Sequence, residues 1–139
     1  MPGRSGRRPV RATCGRTPPV TGSVMLRGEI WQVDFSPARG SEANKSRPAV
    51  VVSNDRANAT ASRLGRGVVT VVPVTSNIAT IYPFQVLLPA ATTGLAVDSK
   101  AQAEQIRSVA TERLRRRIGR VSPAELVQLD DALRLHLEL

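Results

Sequence analysis

Hydrophobic and polar residues alternate along residues 28–35, where the sequence reads GEIWQVDF. A period of two is typical of a β-strand that buries one face. Apolar runs predict further strands at residues 48–52, 68–74, 84–88, 97–109 and 117–121. Pro73 near the end of one run indicates that this strand finishes at a sheet edge or a bulge, because proline cannot donate to the ladder.

The clearest single element is a C-terminal helix. Ser122 suits the N-cap, Pro123 the first helical position and Glu125 the reciprocal position of a capping box. One apolar stripe follows at Leu126, Leu129, Leu133 and Leu137. Upstream, residues 54–64 predict a helical turn or two, and the polar residues 36–46 predict an exposed loop.

Several short strands at close spacing, with helices only at intervals, predict a mainly β fold with α. The expected architecture is a small, partly closed β-barrel on which the C-terminal helix packs. We expect Trp31 and Phe84 to fill its core. The longest apolar runs are far too short for a membrane span.

The N-terminal segment differs in composition from the rest. Residues 1–24 are rich in Pro, Gly, Arg and Thr, lack hydrophobic periodicity and predict a disordered extension. They carry five arginines and no acidic residue, so they hold five of the nine net positive charges. The segment is interpreted either as a basic arm that contacts RNA or as a leader upstream of a natural start at Met25. The predicted domain is residues 25–139.

Composition also limits the chemistry. The lone Cys14 excludes an internal disulfide and leaves the cytosol as the default compartment. Because His136 is the only histidine, a two-histidine acid/base pair and a His/Cys metal site are excluded. The acidic residues are scattered, so neither a metal nor another cofactor is expected. The remaining basic surplus favours an anionic partner such as RNA or an acidic protein.

Five segments together resemble the MazF/PemK (Kid) toxins of type II toxin–antitoxin systems. They read RGEIWQVDFSP (27–37), GSEANKSRPAVVVSN (40–54), VPVTS (72–76), YPFQV (82–86) and DSKAQAEQIRS (98–108). The resemblance covers essentially all of residues 25–139. It implies an SH3-like barrel of the CcdB/PemK type, a cytoplasmic homodimer and an acidic MazE-like antitoxin as partner.

The resemblance also implies an activity and a set of site residues. The activity is sequence-specific, metal-independent cleavage of single-stranded RNA by the ribose 2′-hydroxyl, which leaves a 2′,3′-cyclic phosphate and a 5′-hydroxyl. The implied catalytic residues are Arg47 and Thr75, with Glu42 as a candidate general base that is equally consistent with a solvated loop glutamate. The implied RNA-binding residues are Ser41, Lys45, Asn77, Ser99 and Gln105.

The residues themselves agree with this assignment. Arg47 and Thr75 both lie at ends of predicted strands, so we expect them to reach a common rim. A forked guanidinium and a hydroxyl donor can stabilise the negative charge of in-line transphosphorylation without a metal. Arginine is too basic to exchange a proton easily, so another group should activate the 2′-hydroxyl.

Two other interpretations stay open at this point. A CcdB-like gyrase poison would share the barrel and lack nuclease activity. Such poisons end their helix with a tryptophan, whereas the one tryptophan here, Trp31, lies in the first strand. A non-catalytic RNA-binding barrel is the second alternative, and the pair of Arg47 and Thr75 argues against it.

Overall fold

A computed structural model describes residues 24–35 and 46–139. The strands in this part of the chain are β1 Glu29–Asp34, β2 Ser46–Val51, β3 Val68–Thr75, β4 Gln85–Leu88, β5 Ser99–Gln102, β6 Arg107–Ala110 and β7 Leu114–Arg120. The helices are α1 Asp55–Leu64, α2 Ala90–Thr93 and α3 Pro123–Leu137, with 3-10 turns at Ala103–Gln105 and Thr111–Arg113. Residues 1–23 of the predicted N-terminal extension and residues 36–45 of the predicted loop lie outside the described residues.

All the strand pairings are antiparallel, and the order across the sheet is β4-β5-β3-β2-β1-β7. The long strand β3 has two partners along one edge. Its first half, Val68 to Val71, pairs with β6, and its end, Val74 and Thr75, pairs with β5. The predicted fold class, mainly β with a C-terminal helix, is confirmed.

The sheet buries apolar side chains on both of its faces. Val50 belongs to a core cluster that includes Leu129 of α3, whereas its neighbour Val51 belongs to a second cluster that includes Trp31. Successive side chains of a strand point to opposite faces, which explains this division. Strand β1 contributes Ile30 to the first cluster and Trp31 to the second, so the expectation of a half-buried strand underestimated its burial.

Helix α3 begins as predicted, buries two of the four leucines of its apolar stripe and half-buries Leu126. The Ser122 side chain accepts from the Glu125 backbone N–H, and Glu125 accepts from the Ser122 N–H in return. Leu129 and Leu133 are buried in the first cluster. The prediction was wrong for Leu137, which is 46% exposed because it lines an open groove between α1, β3 and α3 instead of the core.

Strand β7 and helix α2 depart from the sequence-based expectations. β7 begins at Leu114, three residues before the predicted start at residue 117, because it pairs with β1 along its whole length. Helix α2 was not predicted. It packs against β7 at Gly119, where a Cβ atom would stand only 1.9 Å from the Thr93 carbonyl oxygen.

None of the described helices is both long enough and apolar enough to cross a membrane. Trp31 is buried as expected, and its indole Nε1 donates to Glu29 Oε1 at 3.1 Å. Phe84 is only partly buried, which corrects the prediction that it fills the core. Its ring stacks on the exposed Tyr82 ring, with 5.5 Å between centroids.

Candidate RNA-cleavage site

Arg47 lies near the start of β2, opposite Val33 of β1, and is half-buried. Its side chain makes no hydrogen bond or ion pair with any other residue in the described part of the chain. A guanidinium carries five N–H donors and a permanent charge. The donors of Arg47 are therefore open to an anion from outside the fold.

Thr75 is the last residue of β3 and is half-buried. Its Oγ1 accepts a hydrogen bond from the Asn77 backbone N–H at 3.2 Å. A hydroxyl is both acceptor and donor, so this turn contact leaves the O–H of Thr75 able to donate elsewhere.

The register of β2 and β3 brings these two residues together. The antiparallel ladder pairs Val51 with Val71 and ends at the pair of Ala49 and Pro73. The same register extended by two residues sets Arg47 opposite Thr75. Directly opposed residues have Cβ atoms about 4.5–5.5 Å apart on one face of the sheet. The two residues are thus brought to one rim of the sheet.

Arg47 and Thr75 line one cavity of about 360 Å³. Its wall is completed by the ends of β2 and β3 and by the segment before β5, with Ser46, Pro48, Val74, Ser76, Leu95, Ala96, Val97 and Ser99. Three serines, Thr75 and Arg47 thus line a single cavity.

A second cavity of about 230 Å³ lies on another side of Arg47. Phe35, Pro73, Gln105 and Arg107 form the rest of its lining. The Arg107 guanidinium lies 5.1 Å from the centroid of the Phe35 ring, a cation–π distance. Arg47 therefore borders both cavities.

The remaining predicted residues differ in their exposure and in whether they line a cavity. Gln105 is exposed and lines the second cavity, whereas Ser99 is 4% exposed and its Oγ donates to the Val97 carbonyl at 2.9 Å. Asn77 is exposed beside Thr75, and its Oδ1 accepts from the Ala79 N–H at 3.3 Å, but it lines neither cavity. Glu42, Ser41 and Lys45 lie outside the described residues.

Sequence reasoning missed two cations near these cavities. Arg107 lines the second cavity, and Lys100 pairs with Thr75 across β3 and β5. Lys100 is 7% exposed, and its Nζ donates to the Thr80 carbonyl at 2.5 Å and lies 5.8 Å from the Tyr82 ring centroid. The available signal was that both fall in the segment 98–108, which already supplied Ser99 and Gln105.

The comparisons with known proteins agree on one family. A family model for the PemK-like, MazF-like toxin of type II toxin–antitoxin systems matches residues 26–137. This chain belongs to that toxin family. Endoribonuclease MazF9 of Mycobacterium tuberculosis (strain ATCC 25618 / H37Rv) is 81% identical over 116 residues, which are 84% of this chain and 98% of that protein.

Solved structures of MazF/PemK toxins have the same fold. MazF of Deinococcus radiodurans matches with a TM-score of 0.65 at 29% identity, over 84% of this chain and 98% of that one. MazF in a MazE–MazF structure from the same organism matches with a TM-score of 0.69 at 28% identity, over 84% and 97% of the two chains. The predicted family is confirmed, and the comparisons do not favour a CcdB-like gyrase poison.

The polar side chains among the described residues that line the two cavities carry guanidinium, hydroxyl and amide groups. Across residues 24–35 and 46–139, no group of three or more His, Cys, Asp or Glu side chains is arranged to hold a metal ion. None of the described residues that line the two cavities is an acid, so acid/base chemistry by a carboxylate would have to use another residue.

Proposed function

We propose that this chain is an endoribonuclease toxin that cuts single-stranded RNA. The observation that carries the proposal is the position of Arg47, a guanidinium without a partner among the described residues, on a cavity shared with the Thr75 side chain. The name of the 81% identical relative, endoribonuclease MazF9, supports the same activity.

In the proposed reaction the ribose 2′-oxygen attacks the adjacent phosphorus and the bond from phosphorus to the 5′-oxygen breaks. The 2′-hydroxyl proton passes to a base, and the leaving 5′-oxygen takes up a proton. Negative charge builds on the phosphoryl oxygens, where the Arg47 fork donates two hydrogen bonds and the Thr75 hydroxyl a third. A permanent cation beside developing charge lowers the barrier without a metal.

We propose Glu42 as the general base. It precedes Arg47 by five residues in the sequence, and Arg47 lines the first cavity. Among residues 24–35 and 46–139 no acid lines either cavity, and the chemistry requires a group that can accept the 2′-hydroxyl proton.

RNA recognition is proposed to use side chains around both cavities. Gln105 faces the second cavity, where its amide can pair with a base edge, and Asn77 and Ser99 flank the end of β3 and the start of β5. Ser41 and Lys45 would contribute from the segment before β2. Because Ser99 is buried and already bonded, its part would be to shape the wall of the first cavity.

The proposed partner is an acidic MazE-like antitoxin, as in the MazE–MazF structure from Deinococcus radiodurans. A disordered acidic tail would compete with RNA for the cations around Arg47. We propose further that the toxin acts as a homodimer in the cytoplasm, where its RNA substrate and its antitoxin meet it.

We propose that the domain itself begins near Met25. Met25 is buried in the second core cluster, and the Leu26 backbone N–H donates to Glu29 Oε1 at 2.9 Å. The Arg27 N–H donates to Asp55 Oδ1 at 2.6 Å, which ties this start to α1. The family match begins at residue 26.

The activity is tested by incubating the full chain with a long defined RNA and mapping the ends of the products. We expect cuts in the presence of EDTA, 5′-hydroxyl ends that a kinase labels directly, and resistance of a substrate with 2′-deoxyribose at the cut. Cleavage of the deoxy substrate would remove the 2′-hydroxyl as nucleophile. In parallel, supercoiled DNA with gyrase should be unaffected, and poisoning of gyrase would support the CcdB-like alternative.

A further inference from the structure

Five of the arginines are concentrated around one edge of the sheet, and the proposed cleavage site uses none of them. They lie in β7 and the residue before it: Arg113, Arg115, Arg116, Arg117 and Arg120. β7 ends the strand order and pairs only with β1 among the described strands, so its outer edge has no strand neighbour there.

Three of these arginines are held by the acids and carbonyls of β1. Arg113 donates to the Asp34 carbonyl at 3.0 Å, and Arg115 pairs with the Asp34 carboxylate at 3.3 Å. Arg117 pairs with Glu29 at 3.1 Å. Arg116 is exposed and forms no ion pair within residues 24–35 and 46–139.

The register irregularity of β7 turns two of the arginines to one face. Gln32 pairs with Arg116 and Val33 pairs with Leu114, so Arg115 is an extra residue in β7. Such a bulge redirects a side chain without ending the strand. Arg116 lies opposite Gln32 and Arg115 contacts Asp34, and these β1 residues, two apart, share a face.

That face is continuous with the rim of the first cavity. Gln32 Nε2 donates to Ser46 Oγ at 2.8 Å, Asp34 pairs with Ser46 in the β1–β2 ladder, and Ser46 lines the cavity beside Arg47. Two strand spacings, about 10 Å, separate β2 from β7. Ser46, Gln32, Arg115 and Arg116 therefore form a polar path from the cavity to the sheet edge, hereafter the arginine path.

We propose that the arginine path binds the phosphate backbone of RNA that extends beyond the cleaved position. This inference rests on the proposed function and adds a subsite to it. The path ends in the guanidiniums of Arg115 and Arg116. Asp34 partly neutralises Arg115, whereas Arg116 has no ion pair with a described residue. A guanidinium can bind two phosphate oxygens at once. Contacts to phosphate are independent of base identity, so the subsite raises affinity for longer RNA and leaves the cut position unchanged.

The test compares a short RNA of about 6 nucleotides with a long one of about 20 nucleotides, both spanning a mapped cut and both carrying 2′-deoxyribose there. Wild-type protein should bind the long RNA more tightly. Arg116→Ala should lower this preference about 2- to 5-fold, the range for one exposed charge pair. The salt dependence of binding to the long RNA should fall by about 0.7 in log–log slope.

Arg63→Ala is the matched control, because Arg63 is also exposed and without an ion pair among the described residues, but lies in the last turn of α1. It should leave the preference unchanged. The proposal would be overturned if both variants lost the preference for long RNA equally, or if Arg116→Ala kept it. It would also be overturned if Arg116→Ala weakened binding of an acidic antitoxin peptide and left RNA binding unchanged. Failure of the proposed function would look different, since the wild-type protein would then cut no RNA.

Discussion

Arg27 and Arg47 are both partly buried arginines at the edges of β-strands, yet the fold uses them in opposite ways. The Arg27 side chain donates from Nε to the Val52 carbonyl at 2.9 Å and from its terminal nitrogen to Asp130 of α3. Arg47 has no such contact with any described residue. An arginine that holds the fold together is recognised by its internal partners, whereas an arginine that lacks them on a cavity wall is available to a substrate.

The surroundings of the two residues differ in the same way. Near Arg27, buried Asn58 donates to the Ser53 carbonyl at 2.9 Å and accepts from the Ser53 hydroxyl, while Ser53 Oγ also accepts from the Thr70 N–H at 3.1 Å. Around Arg47 the Thr75 and Ser99 hydroxyl groups make local turn bonds, and the exposed Ser46 hydroxyl accepts from Gln32 Nε2 on the neighbouring strand. Mutations near Arg27 should therefore affect stability, and mutations near Arg47 should affect catalysis.

The largest effect is expected at Arg47. Arg47→Ala should lower the RNA cleavage rate about 100-fold or more, the scale of losing one donor to a developing oxyanion, with little change in thermal stability. Arg47→Lys should recover only part of the rate, because lysine keeps the charge and loses the planar fork. Single-turnover cleavage and thermal melting measure the two quantities, and a near-normal rate for the alanine variant would remove Arg47 from the mechanism.

Asn58→Ala tests whether the hydrogen-bond network near Arg27 stabilises the fold. The substitution leaves buried partners at Ser53 unsatisfied, so the free energy of unfolding should fall by about 1–3 kcal/mol while the cleavage rate of the folded protein stays near normal. Thr60→Ala on the same helix is the control, since Thr60 is exposed and should cost less than about 0.5 kcal/mol. Chemical denaturation gives both values. Equal stability of the two variants would contradict the structural role.

Thr75 should have a smaller effect on the rate than Arg47. Thr75→Ala removes one neutral donor to a charged phosphoryl oxygen and should slow cleavage about 10-fold or more. Thr75→Ser keeps the hydroxyl and should cleave at nearly the wild-type rate. If serine is as slow as alanine, the Thr75 methyl group and its packing are what matter, and the hydroxyl has no part in the chemistry.

The smallest effect is expected for the ion pair of Arg27 and Asp130. Their side chains are 30% and 27% exposed, so solvent screens the pair, and a double-mutant cycle should give a coupling of about 0.5–1 kcal/mol in unfolding free energy. Cleavage rates should not change in any variant of the cycle. A change in rate would show that the surroundings of Arg27 and the cavity at Arg47 are energetically coupled.

Several elements could be predicted from the sequence because their signals are local. The alternation of β1, the apolar runs of β2 and β3 and the capping box of α3 all lie within a few residues of the structure they specify. The match of five short segments to one toxin family also named Arg47 and Thr75 before any geometry was known.

Which of these residues meet depends on long-range strand pairing and packing. Arg47 and Thr75 are far apart in the chain, and their approach depends on the register that pairs Ala49 with Pro73. The early start of β7 depends on its pairing with β1. Leu137 continues the stripe in sequence but faces an open groove, because burial is set by what packs against a helix and not by its own periodicity. The arginine path has the same origin, since a bulge and two strand pairings connect Arg116 to the cavity.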